Sequence, residues 1–292
     1  MVEDILKRKQ KQDRFHTPLL REKQLAHGCF PYLSYPLLEQ TGIVKHCFTT
    51  RMGGVSAGIF ESLNLSFSRG DEKAAVEENF RRISELLGCQ YDNFVLSDQT
   101  HTTNVRRVGR DDAGKGLVRA RDYTDVDGLI TDEPGIVLST FYADCVPLYF
   151  VDVKKRAIGL SHSGWRGTVG RMGQETLDAM RREFGTQPED VVCAIGPSIC
   201  QDCYEVSQDV AEEFIQEFAG HEPDILIAKG NGKYQLDLWR VNKIVLLEAG
   251  IKQEHLSVTD ICTCCNSNVL FSHRASHGKR GNLGAFLSLK KE

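Results

Sequence analysis

The sequence predicts a single α/β domain built on mixed sheets. Three observations lead there. Strand-like and helix-like stretches are interspersed along the 292 residues, but not as regular βαβ units. An apolar block runs over 136–153 and resumes over 157–161, broken by the charged turn 152–156. No internal repeat or low-complexity linker divides the chain. Residues 1–28, with many Lys, Arg and Gln, read as a charged N-terminal arm, loosely attached or forming a solvated helix. Residues 29–292 read as the one domain.

Composition narrows the function classes. With 41% hydrophobic and 26% charged residues the chain is an ordinary globular protein. A net charge of -4 argues against a generic nucleic-acid binder, which carries a basic surplus. No apolar run approaches the roughly 18 residues of a membrane helix. The basic stretch 1–14 lacks the apolar core of a signal peptide. The expected location is therefore the cytoplasm, with the ten cysteines as reduced thiols.

The elements follow in order. Phe30, Tyr32 and Tyr35 alternate in strand fashion from Cys29, and 44–50 reads as a second strand. Arg51 then stands before Gly53-Gly54, where paired glycines let a ligand approach and a guanidinium suits phosphate or carboxylate. Leu63-Asn64-Leu65 is a short apolar piece. Asp71 is placed to cap a helix to about Leu87, with Val76, Phe80, Ile83 and Leu87 on one face and Gly88 as its stop. A strand over 93–96, a turn at 99–101 and a second strand fill 93–108. Residues 110–125 read as an exposed loop, and Asp127 to Thr131 returns to the core. After the apolar block, Val169, Met172, Thr176, Met180 and Phe184 form a helical stripe. Gly164 and Gly167 would start that helix near the strand ends, its first N–H groups favouring an anion. Residues 191–195 make a strand. Ser207 and Asp237 are placed to cap two further helices, with 220–232 a loop between them. Short strands are expected around 257–258 and 269–271.

The chemistry gathers at strand ends. His101, Cys145 and His162 each stand where an apolar strand gives way to a turn. Such turns commonly carry function. Catalytic zinc sites use three protein ligands and keep a fourth position open. The same atoms also read as a Cys-His nucleophile pair, with Asp144 orienting a histidine. A second group, Cys200 and Cys203 with Cys262, Cys264 and Cys265, is either a four-thiolate structural zinc site or a set of ordinary buried thiols. Zinc nucleobase deaminases carry H-x-E and P-C-x-x-C, and neither is present. Multicopper oxidases need many His in H-x-H pairs, whereas this chain has nine His and no such pair. No P-loop occurs.

Several stretches together resemble one family. They are Ser97-x-Gln99-x-His101, Asp127 to Thr131, Ala143-Asp144-Cys145-x-Pro147, His162 to Gly167, Gly196 to Ile199 with Tyr204-Glu205-Val206, and Phe271 to Arg274. They are similar to the YfiH/YlmD family, also called the polyphenol oxidase or laccase-domain family, from about Thr49 onward. Ser163 departs from the alanine usual there.

The resemblance implies an α/β sandwich of mixed sheets flanked by helices, related in layout to a toxin class of cysteine hydrolases. It implies zinc, with copper the alternative, held by His101, Cys145 and His162. It implies phosphorolysis of adenosine, inosine, guanosine and methylthioadenosine, and hydrolytic deamination of adenosine. Asp144 is expected to move protons or orient a ligand, and Arg51, Asn64, Gln99 and Arg166 to meet substrate or phosphate. The expected partners are purine nucleosides and phosphate, not nucleic acid or membrane, with the chain a monomer or homodimer. A Cys-His hydrolase, a copper oxidase and a non-catalytic metal or nucleoside binder stand as alternatives.

Overall fold

The computed structural model describes residues 5–9, 13 and 15–291; part of the basic stretch 1–14 lies outside them. The elements begin β1 (Leu19–Leu25), β2 (Gly28–Ser34), α1 (Pro36–Gln40), β3 (Val44–Thr49) and α2 (Lys73–Leu87). Next come β4 (Phe94–Leu96), β5 (Val105–Arg107), β6 (Gly128–Thr131), β7 (Val137–Tyr142), β8 (Val146–Asp152) and β9 (Ala157–Ser163). Two helices follow, α3 (Trp165–Val169) and α4 (Met172–Phe184), then β10 (Val191–Ile195), β11 (Glu205–Ser207) and α5 (Gln208–Glu217). The chain continues through α6 (Glu222–Ile225), β12 (Leu226–Gly230), β13 (Lys233–Leu236) and α7 (Leu238–Glu248). It closes with β14 (Leu256–Val258), α8 (His273–Ser276) and β15 (Leu283–Leu289). No described helix is long and apolar enough to cross a membrane.

Two six-stranded mixed sheets stack face to face. One has the order β1-β2-β3-β15-β7-β4 and the other β14-β10-β8-β9-β6-β5; β11-β13-β12 form a small third sheet. The layering follows from side-chain alternation. In β8, Tyr149 and Val151 enter the core between the sheets, with Leu33, Phe48, Leu138 and Leu287. Val146, Leu148 and Phe150 point the other way, onto Met180 of α4 and Val245 of α7. On the far side of the first sheet, Phe286 and Phe94 pack on Phe80 and Ile83 of α2. Helices thus cover both outer faces, and strands buried on both sides read as near-continuous apolar runs.

The structure departs from the sequence pattern in five places. First, the expected arm is in part a strand: β1 pairs with β2 from Leu19↔Ser34 to Leu25↔Gly28. Upstream, Leu6 is buried and Arg8 pairs with Asp260 at 2.8 Å. Residues 21–24 are exposed, so this edge strand carries the charged, polar sequence of a solvated segment. Second, β15 carries no visible alternation, because all seven of its residues are buried. It nevertheless sits between β3 and β7. Third, 220–232 contains α6 and β12 rather than only loop. Fourth, 269–271 is not a strand; Val269 and Leu270 donate to the Asn266 carbonyl in a buried turn. Fifth, the helical stripe after Gly167 splits into α3 and α4 around Gly170-Arg171, with Arg171 at φ 54°. The long helix therefore does not start at the strand ends.

Capping follows expectation only in part. Asp237 accepts from the Arg240 N–H at the start of α7. Ser207 precedes α5 without a capping bond, and Asp71 bonds Asn64 Nδ2 while Glu72 takes the N-cap position of α2.

Candidate metal centre and its cavities

Three chain segments converge at one end of the sandwich. The β7–β8 turn projects Cys145, with Asp144 at φ 87°. His162 is the penultimate residue of β9 and lies across from Pro147 of β8. His101 comes from the turn after β4, at φ 67°. One ligand atom from each of His101, Cys145 and His162 lies within 4.8 Å of the others. The two imidazole centroids are 4.9 Å apart. Gly164 makes this approach possible: a Cβ there would stand 2.6 Å from His101 Nδ1 and 3.3 Å from Cys145 Sγ.

Asp127 organises the centre. Its carboxylate is buried and accepts from His162 Nδ1 at 2.7 Å. It also accepts the backbone N–H groups of Thr100, His101 and Thr102 at 3.0, 3.2 and 2.9 Å. The His101 turn and the His162 ring are thereby fixed by one side chain. With Nδ1 donating to Asp127, His162 directs Nε2 toward the sulfur. An Asp that orients a His ligand is the usual outer-shell partner of such metal sites. Burial raises the Asp127 pKa, but the His162 hydrogen bond and charge, with the turn amides, bring it below the usual carboxylate value.

Electrostatics favour the ligating form of the sulfur. Burial pushes the Cys145 thiol up, yet the charge of His162 and hydrogen bonds to both imidazoles outweigh it and hold the group at about 6. His162 is the reciprocal case. Burial pushes it down, but Cys145 and Asp127 raise it to about 9. Two nitrogens and one thiolate, oriented and closely spaced, fit zinc or copper.

Two cavities flank the centre. One, of about 300 Å³, is lined by Arg69, Asp98, Gln99, Arg121, Phe141 and Asn282, among others. The second, of about 410 Å³, includes Asp144, Trp165, Arg166, Tyr204, His273 and Arg274. His101, Ala143, Cys145, Arg69 and Arg280 line both. Arg280 is 8% exposed, and its Nε finds no partner among the described residues. Burial and the neighbouring Arg69 charge lower it to about 10. A buried guanidinium with no ion-pair partner within salt-bridge distance among the described residues, beside a second one, has the chemistry to receive an anion.

The other expected residues separate clearly. Arg166 lines the second cavity, its guanidinium 4.2 Å from the Trp165 ring centroid. Gln99 lines the first, but its amide is spent on Ser97 Oγ and the backbone of Phe141, so it braces the end of β7. Asp144 orients no histidine; it accepts from Thr263 Oγ1 at 2.6 Å and from Arg274 N at 2.7 Å. The orienting role falls to Asp127.

Arg51 and Asn64 line neither cavity. Arg51 donates to the carbonyls of Glu61 and Ser267 and covers the Phe271 ring. The close approach that Gly54 permits is taken by the chain itself, since a Cβ there would meet the Ser62 carbonyl oxygen at 2.1 Å. Asn64 is fully buried, bonded to Ser66, Asp71 and Asn282. Arg69, Arg121 and Arg280 carry no local signal, as single arginines in polar loops. Asp127, standing directly before an apolar strand, offered one.

A family model described as multi-copper polyphenol oxidoreductase laccase matches residues 45–290. The purine nucleoside phosphorylase YlmD of Bacillus subtilis (strain 168) is 35% identical over 248 residues, 84% of this chain and 88% of that protein. A purine nucleoside phosphorylase of Bacteroides thetaiotaomicron is 37% identical over 263 residues, 89% and 96% of the two chains. The crystal structure of Bacillus licheniformis YfiH superposes with a TM-score of 0.85 at 32% identity, covering 92% of this chain and 99% of that one. That of YlmD from Geobacillus stearothermophilus gives 0.81 at 33% identity with the same coverage.

Proposed function

The chain belongs to the family described as multi-copper polyphenol oxidoreductase laccase, and from its relatives named purine nucleoside phosphorylase and the geometry of its site we propose that it is a zinc-dependent purine nucleoside phosphorylase. The substrates are adenosine, inosine, guanosine and methylthioadenosine, each split by phosphate into base and sugar 1-phosphate. Adenosine is in addition deaminated hydrolytically to inosine. Relatives bearing the name purine nucleoside phosphorylase align over most of their own length. The single observation that carries the reading is the buried Arg280, whose Nε has no hydrogen-bond partner among the described residues. With Arg69 it lies against the Cys145 and His101 wall shared by both cavities.

The residues divide the work. Arg280 and Arg69 bind phosphate by charge-assisted hydrogen bonds. Trp165 and Tyr204 offer flat apolar faces for the purine in the second cavity. A nucleoside bound in this way has ribose C1′ between base and phosphate. A phosphate oxygen then bonds C1′ as the bond to the base nitrogen breaks, and its electron pair leaves with the base. His101, Cys145 and His162 would hold the metal, with Asp127 fixing the His162 imidazole and the turn that carries His101. When bound, zinc supplies a Lewis acid at the meeting point of the cavities.

Zinc is preferred over a multicopper centre because of the donor inventory. Among the described residues, the second group able to hold a metal contains four cysteines and no histidine. That leaves no histidine-rich cluster of the kind oxidases use. The Cys145–His162–Asp127 sequence also matches a cysteine-nucleophile triad, which the ion pair of sulfur and imidazole favours. It gives no task to His101, whose hydrogen bond reaches the same sulfur.

Purified protein, metal-free and then reloaded with zinc or copper alone, is incubated with adenosine in the presence and absence of phosphate. Adenine release should require phosphate and zinc and vanish in His162→Ala. Undiminished turnover by the metal-free protein would support the triad instead. Phosphate-independent adenine release would remove the phosphorylase reading.

A further inference from the structure

Five of the nine cysteines outside the centre, Cys200, Cys203, Cys262, Cys264 and Cys265, cluster, and four of them form a regular pattern once their positions are known. Cys200 and Cys203 flank the turn after β10, and Cys262 and Cys265 the turn after β14. Those strands are parallel neighbours, and the contact continues as a bridge between Ser198 and Cys262. One sulfur from each of Cys200, Cys203, Cys262 and Cys265 lies within 4.8 Å of the other three. Cys264, whose presence made the spacing look irregular, is not one of this set. What remains is C-x-x-C facing C-x-x-C, the ligand spacing of structural zinc sites.

The local backbone has the form of a metal knuckle. Cys262 Sγ accepts the N–H of Cys265 at 3.4 Å and that of Cys200 at 3.3 Å. Cys203 Sγ and Cys265 Sγ are 3.5 Å apart. Zinc–sulfur bonds of about 2.3 Å in a tetrahedron place sulfurs about 3.8 Å from one another, so only small shifts separate these thiols from a coordination shell. Cys200 and Cys262 are buried, while Cys203 and Cys265 are partly exposed, which leaves a path for an ion. Lys9, bonded to Asp202 at 2.8 Å, adds a positive charge at the rim, where four thiolates around a divalent ion leave an excess negative charge.

We propose that Cys200, Cys203, Cys262 and Cys265 form a second metal site, a closed tetrathiolate that binds zinc and is separate from the His101–Cys145–His162 centre. Its place in the fold gives it a structural task. Thr263, inside the second knuckle, donates to Asp144 Oδ1 at 2.6 Å, and Ile199 N donates to the Asp144 carbonyl at 3.0 Å. Arg274 donates to the carbonyl of Cys203 at 3.2 Å and, through its own N–H, to Asp144 Oδ2 at 2.7 Å. The ion therefore ties two distant chain segments to the turn that carries Cys145. It also fixes Ile199, Tyr204 and Arg274, which wall the second cavity.

The test uses Cys145→Ala, which removes the sulfur of the other centre and leaves the knuckles intact. The full chain is purified under reducing conditions, stripped of metal and titrated with zinc alone and with cobalt alone. We expect one tightly held zinc per chain, four sulfur neighbours in its X-ray absorption spectrum, and with cobalt the intense charge-transfer bands of a tetrathiolate. Addition of Cys203→Ala and Cys265→Ala should abolish that zinc. If the triple variant does not fold, the cobalt spectrum and sulfur count of Cys145→Ala decide alone. No tightly bound metal in folded, reduced Cys145→Ala would overturn the proposal. So would nitrogen or oxygen neighbours around the ion, or zinc retained by the triple variant.

Discussion

Asp127 accepts a 2.7 Å hydrogen bond from His162 Nδ1 while the same carboxylate takes the backbone N–H of His101. One buried acid therefore sets the ring of one candidate ligand and the turn that presents the other. Asp127→Asn removes the charge and turns an NH2 group toward groups that are themselves donors. Metal affinity should fall by about 10–100-fold, the usual cost of losing such a partner. Competition with a chromophoric chelator measures it. Unchanged affinity would mean that the histidines are held in place by the surrounding packing alone.

The two arginines make opposite predictions. Arg280→Ala should raise the phosphate KM by about tenfold or more, equivalent to at least about 1.4 kcal/mol of binding, with zinc content intact. Arg51→Lys should leave the phosphate KM unchanged and lower stability by about 1–2 kcal/mol, because its hydrogen bonds go to the Glu61 and Ser267 carbonyls. Phosphate titration of adenine release and urea unfolding separate the two effects. A phosphate defect confined to Arg51→Lys would return the anion site to the Gly53-Gly54 turn.

In metal-free protein, Cys145 should titrate near 6. Ultraviolet thiolate absorbance, taken as the difference between the wild-type chain and Cys145→Ala, isolates it from the other nine cysteines. His162→Ala should move the titration upward, since the His162 charge is the largest influence opposing burial. A midpoint near the ordinary value for cysteine would show that the sulfur and imidazole do not form an ion pair without metal.

His46 provides a pH test away from the centre. It is buried and its Nε2 accepts the Tyr35 N–H at 2.9 Å, so it is held neutral. Burial lowers its pKa from 6.5 to about 4, with Glu39 opposing and Lys290 assisting. A depressed folded-state pKa means that the unfolded chain binds the proton first. This contribution is present above pH 6.5 and is lost as pH falls toward 4, by up to about 3 kcal/mol. His46→Gln should flatten the stability profile over that window in urea unfolding. An equally steep profile would assign the acid sensitivity to other groups.

The sequence by itself determined which candidate ligands stand at strand ends. His101, Cys145 and His162 were legible because turn chemistry is local: an apolar run followed by Gly-, Pro- or Asn-containing residues marks a strand end, whichever strand it pairs with. The mixed α/β class was legible for the same reason, from periodicities within short windows. Only the tertiary structure decided how those ends meet. Asp127 becomes the partner of His162 because β6 pairs with β9 in a register that puts Gly128 opposite Ser161. Arg69 and Arg280 reach one wall from loops more than two hundred positions apart in the chain. β15 shows no alternation because both its faces are buried, and β1 reads as polar because it lies at an edge. Cys200 and Cys203 meet Cys262 and Cys265 through the parallel pairing of β10 with β14. Each of these depends on contacts between residues far apart in sequence, whose register is set by burial of whole strand faces and not by any pattern within a single segment.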